Sequence, residues 1–155
     1  MAILKVARMG HPILRRVADP VKPKDIKTPE FRQFVDDMIE TMHEYSGLGL
    51  AAPQVHRSMR VSVVEIQPNP RYEGNDQFSG LHVFINPELT SLTKETNSYW
   101  EGCLSVPGMR GLVARPNKIK VKYLDRDGKS QELVAENFLS TVLQHEFDHL
   151  DGKLY

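Results

Sequence analysis

The chain has 155 residues, of which 40% are hydrophobic and 26% charged, with 20 basic and 20 acidic side chains. That length fits one compact domain over residues 1–155, able to bury a core without disulfide staples. Scattered charge of zero net sign offers no cationic field to a phosphate backbone, so direct nucleic-acid binding is not expected. No apolar run is long enough to span a bilayer, and the opening MAILKVARMG lacks the charged start, apolar block and cleavage site of a secretion signal. A cytoplasmic protein with no membrane association is expected.

In chain order, the first helix begins with Thr28 as N-cap and Pro29 in its first turn. Phe31, Phe34, Val35, Met38, Met42 and Tyr45 recur at helical spacing, and this helix should end near Gly47. Arg60 to Ile66 reads as a strand, the polar stretch Gln67 to Gly80 as an exposed loop, and Leu81 to Ile85 as another strand. Ile119, Val121 and Tyr123 alternate with Lys118, Lys120 and Lys122, which marks a strand with one solvated face. Asp127-Gly128 then turns the chain into Gln131 to Ala135. The last element opens with Asn137 as cap and runs as a helix through Leu150. Strands grouped between two helices predict an α+β fold built on antiparallel sheet.

That last helix carries the strongest chemical signal. Residues 145–149 spell HExxH, which puts His145 and His149 one turn apart on the same face, able to share one ion. Phe138, Val142, His145 and His149 fall on one stripe, while Leu139, Leu143, Phe147 and Leu150 gather on another. One face can pack into a core while the other lines a site, with Glu146 a single residue step aside, suited to a water rather than to the ion. The plain alternative is a polar helix end with solvated histidines; the apolar company of both imidazoles favours ligation.

The longer protease pattern HExxHxxGxxH continues through Gly152 but meets Tyr155 in place of a third histidine. The third ligand is therefore sought upstream, and the lone Cys103 in EGCLS is the best candidate, since thiolate binds such ions strongly. Three protein ligands leave a position open for water, the mark of a catalytic site over a structural one. Cys103 as a nucleophile paired with histidine is the competing reading, and it leaves the second histidine and Glu146 unexplained. His11, His43, His56 and His82 share no spacing and are expected to be bystanders. The segment 47–54, GLGLAAPQ, lacks the lysine of a phosphate loop; its small residues allow close backbone approach, and it ends on the amide of Gln54.

Together GLGLAAPQ, EGCLS and QHEFDHLDG resemble the three signature motifs of the peptide deformylase family, in that family's order and approximate spacing. The amino-terminal RMGHPILR extends the resemblance over nearly the whole chain. It implies mixed, mainly antiparallel sheet around a central HExxH helix, and removal of formate from N-formylmethionyl chains. It also implies Cys103, His145 and His149 as ligands of one divalent ion, ordinarily ferrous iron, with zinc, nickel or cobalt as substitutes. By the same resemblance Glu146 matches the catalytic carboxylate, and Gln54 with the Leu104 N–H the oxyanion donors. Gly47 and Gly49 would flank the substrate backbone, and Leu48, Arg110, Phe138 and Val142 the methionine side chain. Glu101 and Arg115 would pair behind the site, unless they form an ordinary surface ion pair. Nascent N-formylmethionyl polypeptides are the implied partners. The ribosome is a further candidate, although the helix that follows in many bacterial members would lie past Tyr155. HExxH alone would equally fit a metallopeptidase, or a metal-binding module without turnover.

Overall fold

The computed structural model describes residues 2–67 and 79–155. Helix α1, Pro29–Glu44, starts where Thr28 Oγ1 accepts the Phe31 N–H at 3.3 Å, with Pro29 supplying a backbone that needs no donor there. It stops at Ser46, in the left-handed region at φ 52°, and the Gly47 N–H returns to the Met42 carbonyl at 2.9 Å. The expected helix and its stop near Gly47 are both present.

Among the described residues seven strands follow: β1 (Gly49–Ala51), β2 (Val61–Ile66), β3 (Gly80–Ser91), β4 (Thr96–Cys103), β5 (Val106–Pro116), β6 (Lys118–Leu124) and β7 (Ser130–Glu136). One sheet has the order β1-β2-β3-β6-β7, and β4 with β5 forms a separate two-stranded sheet. Every ladder is antiparallel. Among the described residues, parallel pairing is confined to an isolated bridge between Asp19 and Met59. The expected exposed loop Gln67–Gly80 lies, over 68–78, outside the described residues. β4 and β5 have no counterpart in the sequence-based expectation.

The β1–β2 side of the five-stranded sheet is buried on both faces, as alternate residues record, whereas β6 and β7 keep one solvated face, as the lysine alternation predicts. Leu50, Val61, Val63, Val83 and Ile85 pack with Phe31, Val35, Met38 and Met42 of α1. Ala51, Val64, Ile66, Phe84, Ile119 and Val121 pack instead with helix α2, Asn137–Leu150. In α2 every residue except Asn137 and Asp148 is buried, so its polar side chains must find partners inside the protein. The cap differs from expectation by one position: Glu136 is the N-cap. Asn137 takes φ 52°, and its side-chain oxygen is occupied by the Asn97 amide at 3.0 Å, so it cannot serve the helix end.

After α2, Gly152 turns at φ +73° with its Cα against the Arg15 backbone. A Cβ there would run into the Arg15 carbonyl, and the dihedral disfavours any L side chain. Gly152→Ala should therefore cost about 2–4 kcal/mol, read as a lower thermal unfolding midpoint. An unchanged midpoint would contradict this packing.

Candidate active site

Helix α2 turns His145 and His149 to one side, ring centroids 4.7 Å apart and nearly perpendicular, with their Nε2 atoms 3.2 Å from each other. Cys103, at the end of β4, brings Sγ to 3.4 Å from His149 Nε2. The three candidate ligand atoms all lie within 4.8 Å of one another. Each imidazole is oriented from behind: His145 Nδ1 donates to Glu101 Oε2 at 2.8 Å and His149 Nδ1 to the Lys153 carbonyl at 3.0 Å. With Nδ1 committed to an acceptor, Nε2 of each ring is the atom aimed at the shared point, the arrangement that orients histidines on metals.

Glu101 is itself held. Arg115 Nε and Nη2 donate to its two oxygens at 2.6 and 3.0 Å, and Nη1 reaches Asp148 Oδ2 at 2.8 Å. Glu101 and Arg115 are both buried, so this pair stands behind the site and is no surface bridge. Burial works to raise the Glu101 carboxyl, but hydrogen bonds from His145 and Arg115 outweigh it and hold the group below the ordinary carboxylate range. For His145, burial opposes the charged form, yet hydrogen bonding to Cys103 and Glu101 and the charge of Glu146 push it well up. Burial and the neighbouring His145 push His149 down.

Glu146 completes the arrangement. Burial raises its carboxyl to about 7, and its Oε2 is buried with no hydrogen-bond partner among the described residues. Its side chain lies flat on the backbone of β1. A Cβ on Gly49 would stand 2.7 Å from Glu146 Cγ, Cδ and Oε1, so any side chain there would have to push the Glu146 carboxylate aside, whereas the dihedrals of Gly49 are ordinary. Sulfur and imidazole donors with a fourth direction left to solvent fit a divalent transition ion, and the orphaned carboxylate oxygen faces where a polar ligand is needed.

These groups floor a cleft of about 380 Å³ between β1 and the β4–β5 hairpin, within the range of small-ligand sites. Gly47, Leu48, Gly49, Gln54, Cys103, Leu104, Arg110, Phe138, Val142, His145 and Glu146 all line it, so ten of these eleven positions join Cys103 around one space. His149 lies beneath them, 1% exposed. Gln54 is oriented by the Ala51 N–H, which donates to its Oε1 at 2.9 Å; Nε2 then points to Ser105 Oγ at 3.2 Å and Cys103 Sγ at 3.4 Å. Leu104 sits in the two-residue turn between β4 and β5, where Cys103 pairs with Val106. The amino-terminal segment straps this wall, Ala7 N–H to the Gln54 carbonyl at 2.7 Å and Met9 N–H to the Ser105 carbonyl at 2.8 Å.

A profile of the polypeptide deformylase family matches residues 3–155. The chain belongs to this family. It is 49% identical over 155 residues to peptide deformylase 1 of Pseudomonas syringae pathovar tomato, covering 100% of this chain and 86% of that protein. It is 43% identical over 156 residues to the peptide deformylase of Leptospira biflexa serovar Patoc, covering 100% and 87%. The Met-Ala-Ser-bound crystal structure of the class I type b peptide deformylase from Acinetobacter baumannii superposes with a TM-score of 0.89 at 42% identity, covering 99% of this chain and 96% of that one. Deformylases are metal-dependent hydrolases that remove the N-formyl group from new polypeptides, and this chain is one of those enzymes.

Of the residues that line the deformylase cleft, Trp100, Met109 and Thr141 were not expected from sequence. Thr141 was legible, one helical turn from Phe138 and His145; Trp100 and Met109 had no signal before β4 and β5 were known. His43 pairs with Glu65 at 2.9 Å and His11 packs edge-on against His56 at 4.7 Å. Neither pair lines the cleft, nor does His82. Gly49→Ala should leave bound metal at the wild-type level while forcing Glu146 aside, lowering kcat/KM for formate release by about 10²-fold or more. Wild-type turnover in that variant would contradict the contact.

Proposed function

We propose that this deformylase, acting as one catalytic domain over residues 1–155, cleaves the formyl amide of amino-terminal formylmethionine through Cys103, His145 and His149 as metal ligands and Glu146 as the proton carrier. The observation that carries the reading is the Glu146 carboxylate: buried, pressed on Gly49, one oxygen unpartnered, beside a cradle of one sulfur and two Nε2 atoms. A bound divalent ion supplies Lewis acidity, acidifying a water and polarising the formyl oxygen.

The protein's part follows from its own atoms. Glu146 takes a proton from the attacking water and later delivers it to the departing amine nitrogen, which avoids expelling an unstable anion. Gln54 Nε2, held toward the cleft because Oε1 is occupied by Ala51, donates to the formyl oxygen as charge develops there. The Leu104 N–H is the second donor. The cleft side of β1 is the open edge of the five-stranded sheet, so Gly47, Leu48 and Gly49 offer backbone for an extended peptide to pair with. Leu48, Arg110, Phe138 and Val142 then surround the methionine side chain.

Ferrous iron is the ion we assign, because one thiolate with two imidazoles suits iron, zinc, nickel and cobalt alike and the resemblance favours iron. Iron on a thiolate oxidises, so the activity should decay in air and persist when nickel or cobalt replaces it. The reaction belongs in the cytoplasm, on nascent chains at the ribosome. Among the described residues no helix is long and apolar enough to cross a membrane.

The test is formate release from formyl-Met-Ala-Ser beside cleavage of the same peptide without formyl. Glu146→Ala should keep its metal and lose turnover by about 10²–10⁴-fold, as expected for removal of a general acid–base group, whereas Cys103→Ala should lose the metal. Near-normal deformylation by Glu146→Ala sinks the proton-carrier assignment, and internal cleavage of unformylated peptide favours a metallopeptidase.

A further inference from the structure

Beyond α2 the chain returns to the site at Tyr155, in the position where the longer protease pattern would carry a third histidine. Its ring lies against His145, centroids 5.7 Å apart and planes 33° from parallel. The same ring occupies the space of an absent side chain on β5: a Cβ on Gly111 would stand 2.7 and 3.0 Å from Tyr155 Cδ2 and Cε2. The hydroxyl donates to the Met109 carbonyl at 3.0 Å.

Met109 belongs to a part of β5 that its neighbour does not hold. The ladder with β4 pairs Gly102 with Arg110 and then Cys103 with Val106, so Pro107, Gly108 and Met109 bulge out of register. Gly108 takes φ +77° within that bulge. Pro107, Gly108, Met109 and Arg110 are nonetheless the wall of the cleft facing β1. A bulge without ladder partners needs another tether to keep a fixed distance from the helix that carries His145.

We propose that Tyr155 is a positioning residue that ties the Pro107–Met109 bulge to the His145 helix and so sets the width of the peptide cleft. The hydroxyl fixes the bulge, and the ring, seated in the notch left by Gly111, fixes the distance between β5 and His145. This rests on the active-site reading above, and formate release by the wild-type enzyme tests that reading separately.

Three single variants and one double variant test the proposal on the metal-loaded full chain. Tyr155→Phe keeps the ring and loses the tether: KM for formyl-Met-Ala-Ser should rise about two- to tenfold, the range for one lost hydrogen bond. Its kcat, metal content and cobalt-substituted visible spectrum should match wild type. Tyr155→Ala, which also uncovers His145, should shift the cobalt spectrum. Gly111→Ala displaces the ring, and adding it to Tyr155→Ala should cost nothing further, because the atom it meets is gone. An unchanged KM in Tyr155→Phe, or additive losses in the double variant, would overturn the proposal. If Tyr155→Ala fails to fold, Tyr155→Phe still decides through the split between KM and kcat.

Discussion

Glu101 sits on β4 with both carboxylate oxygens committed to Arg115, and one of them also accepts from His145 Nδ1. Burying such a group is costly unless its charge is matched, and removing one member of a buried ion pair typically costs several kcal/mol. The match here spans three elements: Glu101 on β4, Arg115 on β5, Asp148 and His145 on α2. Position of the hairpin relative to the helix is thereby set by directional bonds, and Cys103, two residues beyond Glu101 on the same strand, is carried to the histidines. Apolar packing alone, which is non-directional, would not hold sulfur and two Nε2 atoms at one point.

The opposite wall is set by steric contact. Gly49 lets the Glu146 side chain lie on β1, and the same strand is anchored to β2 through the Gly49–Val64 and Ala51–Ser62 pairs. The open edge of the sheet therefore runs beside the carboxylate, which is where the proposed strand pairing would bring a peptide. Gln54, in the turn after β1, spends its oxygen on Ala51, which turns its amide nitrogen toward Ser105 Oγ and Cys103 Sγ at the cleft floor. One short strand and the turn after it thus carry both the open edge and the oriented amide on which the proposed function draws.

Much of this was legible in the sequence, unevenly. HExxH is local, since helical spacing alone brings His145 and His149 together, and α1 announces itself through Thr28, Pro29 and its apolar stripe. β6 and β7 were readable from lysine–aliphatic alternation. β4 and β5 were not, because their inward side is spent on chemistry: Glu101, Cys103 and Arg115 stand where Val or Ile would signal a strand. Pro107, Gly108 and Gly111 remove what signal was left. Arg115 could be named as a partner for Glu101, yet only its burial distinguishes a support for His145 from a surface pair. Tyr155 read as a missing ligand; in the folded chain it covers the imidazole at that place. Asn137 was misplaced as a cap because its side-chain oxygen accepts instead from Asn97, forty positions away.

The central claim is that β4 and α2 meet to hold one ion through one sulfur and two nitrogens. X-ray absorption spectroscopy on anaerobically prepared, metal-loaded protein tests it most directly, together with metal stoichiometry. The account predicts one ion per chain, with a single sulfur scatterer at about 2.3 Å and nitrogen or oxygen at about 2.0–2.2 Å filling the rest of the shell. An ion with no sulfur neighbour, or a chain that deformylates at full rate with no ion bound, would contradict it.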